Sequence, residues 1–82
     1  MLKINHYYHA TFRYRNGYMI IKCLQNNYPH KGHSYFRVLY QKQEGFYIDY
    51  VNSYLYGDDK GLNNFFKEIK EISESDAILE MI

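Results

Sequence analysis

Residues 2–15 read LKINHYYHATFRYR, and Asn16-Gly17 follows directly. Leu2, Ile4, His6, Tyr8, Ala10, Phe12 and Tyr14 occupy one phase of this alternation, while Lys3, Asn5, Tyr7, His9, Thr11, Arg13 and Arg15 occupy the other. Period two sustained over that length predicts a strand, because successive side chains of a β-strand point to opposite faces. Asn-Gly is the strongest short hairpin signal, since both central residues of a type I′ turn need positive φ. Pairing Arg15 with Tyr18 then sets Phe12 beside Ile21, Tyr14 beside Met19 and Ala10 beside Cys23. On the opposite face it sets Arg13 beside Ile20 and Thr11 beside Lys22.

Working outward, Asn26–His33 (NNYPHKGH) is a loop, broken by proline, glycine and two asparagines. A third strand is predicted over Tyr35–Gln41, with Phe36, Val38 and Tyr40 inward and Tyr35, Arg37, Leu39 and Gln41 outward. Gln43-Glu44-Gly45 suits a three-residue turn, and a fourth strand over Phe46–Val51 turns Phe46, Ile48 and Tyr50 inward and Tyr47 and Asp49 outward. Asn52–Gly57 is read as loop. Asp58 and Asp59 are N-cap candidates for a helix in which Leu62, Phe65, Phe66, Ile69 and Ile72 recur at helical spacing. The tail DAILEMI, residues 76–82, fits a short helix or an edge strand, and its alternation favours the strand. The expected fold is one α+β domain over residues 1–82: a four-stranded antiparallel sheet, five if the tail pairs, with one amphipathic helix packed on one face.

Charge is distributed unevenly. The first 43 residues carry seven basic side chains and no acidic one, whereas all nine acidic residues and only three lysines follow. Seven of the eleven tyrosines lie in the basic part. With 46 % apolar and 20 % aromatic residues the chain is too hydrophobic for a disordered tail. Its lone cysteine, Cys23, cannot form an internal disulfide, which points to a reducing, cytoplasmic setting. The first residues lack a signal-peptide apolar run, and no stretch approaches the roughly 18 apolar residues of a membrane span.

Catalytic and cofactor signatures are missing from this pattern. His6-x-x-His9 and His30-x-x-His33 resemble paired zinc-ligand spacings, but residues three apart on a strand point to opposite faces, so His6 and His9 cannot share an ion without a bulge. His9-Ala10-Thr11 matches the H-x-T element of two-histidine phosphoesterases, yet the second copy those enzymes need is lacking. Cys23 is expected inward, where burial raises a thiol's pKa and makes it inert. Asp58-Asp59, Glu68 and Glu71 read as a cap and a solvated helix face rather than an acid-base pair. No phosphate-cradling loop is present, and no cofactor or metal is expected.

The outward sheet face remains. It collects Arg13, Arg15, Lys22 and Arg37 with Tyr7, Tyr18, Tyr35 and Tyr47, and these eight are the candidate partner-binding residues. Tyrosine suits any strand, and a polar sheet face is ordinary in antiparallel sheets. Against that plain account stand the apolar Ile20, Leu24 and Leu39 on the same face, and the enrichment of Tyr and Arg at interface hot spots.

Lys, Asn, Ile and Tyr are abundant, Ala occurs twice and Pro once, which fits AT-rich coding. In size, coding bias and layout the chain resembles the small phage-encoded anti-CRISPR and other anti-defence proteins. The resemblance covers architecture and composition without a motif, so it assigns no residue. It implies a non-enzymatic inhibitor that occupies a host protein or nucleoprotein complex in the cytoplasm. A single-stranded nucleic-acid binder using the same face is the alternative, although the RNP signature of sheet-based RNA readers is missing. A homodimeric structural or regulatory module is a third reading.

Overall fold

A computed structural model describes residues 1–45 and 48–82. The elements are β1 (Tyr7–Phe12), β2 (Gly17–Asn26), β3 (Ser34–Gln43), β4 (Tyr54–Gly57), α1 (Asp59–Phe65), β5 (Phe66–Ile72) and α2 (Glu74–Met81). The strands form one antiparallel sheet in the order β4-β3-β2-β1-β5. The α+β class and the antiparallel sheet with a helix on one face are therefore as expected, although several elements lie elsewhere.

The period-two reading of the N-terminal stretch holds its faces within Tyr7–Phe12, whereas residues 2–6 form no strand and Ile4 and His6, expected inward, are exposed. Tyr8, Ala10 and Phe12 are buried, as are Met19, Ile21 and Cys23 on β2 and Phe36 and Val38 on β3. With Leu62 of α1 and Phe66 of β5 they form the core, and Leu2, Tyr50, Leu55 and Ile69 pack around it. The hairpin register differs. Thr11, not Arg15, pairs with Tyr18, and Ala10 pairs with Met19. The slip is four residues, an even number, so every side chain keeps its face. Its cause lies outside the hairpin: the Arg13 amide donates to the Phe65 carbonyl, drawing the chain toward α1 and leaving Tyr14 exposed.

Three bulges interrupt the ladders. At the one on β2, Cys23 pairs with Phe36 and Gln25 with Tyr35, so Leu24 is an extra residue. Ile20 pairs with Tyr40 while Ile21 pairs with Val38, so Leu39 is an extra residue on β3. Tyr40, expected inward, consequently shares the outward face with Ile20. On β5, Thr11 faces Glu68 and Phe12 faces Phe66, which makes Lys67 the extra residue. This bulge puts Phe66 and Ile69 on one face of a strand although they lie three apart, a spacing that otherwise reads as helix. The expected helix through Ile72 therefore ends at Phe65. Strand β5 satisfies the otherwise open edge of β1, a demand that helical periodicity does not report.

The expected strand over Phe46–Val51 is also corrected. Phe46 and Tyr47 lie outside the described residues, and Ile48, Asp49 and Tyr50 form no strand. The Gln41 side chain takes over their backbone, its Nε2 donating to the Ile48 carbonyl (3.0 Å) and its Oε1 accepting from the Tyr50 amide (2.8 Å). Pairing with β3 begins further on, through Asn52 and Ser53 at Val38, and continues as β4 with Leu55 packed inward.

The tail is a helix, not the strand that its alternation favoured. Ser73 caps it by accepting the Asp76 amide at 3.0 Å, and Glu74 and Asp76 occupy its positive end. Helix α1 and the core lie on one side of the sheet. Helix α2 covers part of the other, packing on β1 and β3 and enclosing Ile20.

Candidate functional site

Register places four side chains from four strands in one row on the outward face: Tyr7 opposite Lys22, Lys22 opposite Arg37, and Arg37 opposite Tyr54. At about 4.8 Å between strands the row spans roughly 14 Å. Tyr35 and Tyr56 form the next pair along β3 and β4. Tyr35 stacks parallel on Tyr54 (5.7 Å, 8°) and takes the edge of Tyr28 at 4.9 Å. His30 and His33 stand edge-on to each other (5.3 Å), and both approach Tyr56.

The two cations are held from within the sheet. The Lys22 ammonium lies 5.4 Å from the Tyr7 ring centre, and Arg37 Nη2 donates to Asn52 Oδ1 at 3.0 Å. Arg37 Nε is buried without an acceptor among the described residues, an uncompensated donor of the kind native structures seldom keep. Neither cation ion-pairs with a described carboxylate; the described ion pairs engage the N-terminus, Lys3 and His6.

Of the eight candidates, Tyr7, Lys22, Tyr35 and Arg37 come together here. Arg13 does not. Its guanidinium donates twice to the Asn63 carbonyl (2.9 and 2.6 Å) and once to that of Phe66 (3.1 Å), closing the C-terminal end of α1. Arg15 lies over the rings of Phe12 (4.7 Å) and Phe65 (5.5 Å), on the core side. Tyr47 lies outside the described residues.

Tyr18 shares the face but not the row. It stacks on His9 (4.2 Å), and its hydroxyl donates to Glu80 Oε2 at 2.6 Å, which ties α2 to the sheet. The Glu80 hydrogen bond, then burial and the Glu80 charge, push its phenol up to about 12. A raised phenol pKa favours the neutral form in the folded state, so this contribution is complete below pH 10 and is lost as pH rises from 10 to about 12. The stability gap between the wild type and Tyr18→Phe, read as urea midpoints, is therefore expected to narrow over that interval.

Other polar groups support the scaffold. His6 Nδ1 lies 3.0 Å from Glu71 Oε2, and this contact is the main cause holding the Glu71 carboxyl below its ordinary pKa. Burial raises the Cys23 thiol, in line with an inert core cysteine. No helix is long and apolar enough to cross a membrane among the described residues.

Tyr54 was hidden in a stretch that reads as loop. The alternation Tyr54-Leu55-Tyr56 was the available signal, with Leu55 the inward residue. No protein-family model, curated protein or solved structure matches the chain.

Proposed function

We propose that the chain is a non-enzymatic binding protein, a small phage-type inhibitor of the anti-CRISPR kind, that occupies a host defence or nucleic-acid-handling complex. Its contact surface is the row Tyr7, Lys22, Arg37 and Tyr54, with Tyr35 beside it. The observation that carries this reading is the pair of cations set between tyrosines with no described carboxylate against them. Tyrosine and arginine supply rigid contact area and directional donors, and unpaired cations steer an acidic protein surface toward them.

The parallel Tyr35 and Tyr54 rings beside Lys22 and Arg37 also favour a second reading, single-stranded nucleic acid, with bases on the rings and phosphates on the cations.

One set of measurements separates them. Under the first reading, the chain captures a nucleic-acid-handling complex from a bacterial lysate and lowers that complex's activity in proportion to the amount added, and Lys22→Glu with Arg37→Glu abolishes both effects. Under the second, a purified oligonucleotide binds with a log-log salt slope of about −1.4, at about 0.7 for each of two phosphates. Inhibition that survives the double substitution overturns the choice of surface.

A further inference from the structure

Helix α2 sits on the sheet with its small and polar side inward. Ala77 is buried at 1 % exposure and Glu80 reaches down to Tyr18, whereas Ile78, Leu79, Met81 and Ile82 face outward, Leu79 at 67 % and Ile82 at 93 % exposure. An amphipathic helix normally buries its apolar stripe against its own core. Here that stripe is presented to solvent, along with Glu74 and Asp76 on a helix that has no basic residue.

The row lies on the same sheet face as α2. Tyr7, His9 and Thr11 pair without interruption with Lys22, Ile20 and Tyr18, so the open Lys22 end and the helix-covered Ile20 end adjoin. We infer that two copies of the chain associate face to face about a two-fold axis, each α2 laying Ile78, Leu79, Met81 and Ile82 on the partner's tyrosines and its carboxylates toward the partner's Lys22 and Arg37.

Charge selects this arrangement. Helix on helix would bring two pairs of outward carboxylates, Glu74 and Asp76 of each copy, together with no cation on either helix, and row on row would oppose four cations. Helix on row pairs acid with base twice, because a two-fold axis repeats the contact. An anionic membrane surface is disfavoured by the same acidic residues.

The inference rests on the reading of the row as a binding surface and names the chemistry that surface prefers: apolar side chains flanked by carboxylates. The second copy holds the place that a host partner takes, so dimer and partner compete.

Sedimentation equilibrium from low micromolar to millimolar concentration tests it. The wild type is expected to dimerise, and Lys22→Glu with Arg37→Glu, or Glu74→Lys with Asp76→Lys, to weaken association at least about tenfold. An equimolar mixture of the two reversed chains is expected to dimerise again, since each then meets its opposite charge. If the lysines at the helix start melt α2 by circular dichroism, Leu79→Asp with Ile82→Asp replaces that variant and is expected to be monomeric. A wild type that stays monomeric at millimolar concentration overturns the inference, as does a row-reversed chain that dimerises unchanged. A monomeric wild type whose inhibition still depends on Lys22 and Arg37 removes the dimer alone. A dimer that the row reversal dissolves, with inhibition intact, removes the inhibitor surface alone.

Discussion

Gly17→Ala is expected to cost at least about 3 kcal/mol and to lower Tm by about 12–24 °C, which in a chain of this size approaches loss of the native state. Gly17 opens β2 with φ +129°, a conformation that L side chains rarely adopt. A Cβ placed there would stand 2.0 Å from the Lys42 carbonyl oxygen and 2.8 Å from the Gln43 Cα, and both obstacles are backbone. No side chain can rotate away to make room, so β2 must part from β3 where Gly17 pairs with Gln43. Gly32→Ala supplies the contrast. Its φ is +84° with nothing within 4 Å of the added carbon, so only the conformational strain of about 1–2 kcal/mol remains. Thermal melts of the two variants separate the clash from the strain, and equal losses would show that β3 yields at Lys42.

The second large effect is expected on binding rather than folding. Reversing Lys22 and Arg37 to Glu is expected to weaken partner binding by at least about 100-fold, since an anchoring arginine alone is worth about 2 kcal/mol or more and reversal adds repulsion. Stability should change little. Neither cation ion-pairs with a described carboxylate, and the one hydrogen bond lost among the described residues, from Arg37 to Asn52, is exposed and worth about 1 kcal/mol. Titration calorimetry or a gel shift reads the affinity, and circular dichroism confirms the fold. Arg13→Glu is a misleading companion, because it strips the carbonyls of Asn63 and Phe66 of their donor and acts through stability.

Alternation identified four of the five residues of the candidate surface, and these are half of the eight it put forward. Tyr7, Lys22, Tyr35 and Arg37 were assigned outward from period alone, and the slipped hairpin did not disturb them because an even slip preserves faces. Arg13 and Arg15 obeyed the same alternation but lie beyond the end of β1, where the hydrogen bond to Phe65 takes the chain out of the sheet. Local pattern cannot report where a strand stops pairing. Tyr54 was missed for a related reason: which segment becomes the fourth strand depended on Gln41 occupying the backbone of Ile48 and Tyr50.

The period of its apolar residues and its cap and turn residues determined that this chain builds an antiparallel sheet with one buried face, because side-chain direction follows from local backbone geometry. Only the tertiary structure decided that residues 66–72 are a strand. The free edge of β1 needed hydrogen bonds, and the bulge at Lys67 let a helical spacing serve a sheet. It also decided that the tail folds back as α2 over Ile20, which leaves the cationic row open beside an acidic, outward-facing apolar helix. Both outcomes depend on which groups remain unsatisfied after the rest of the chain has packed, and that is a property of the assembled fold.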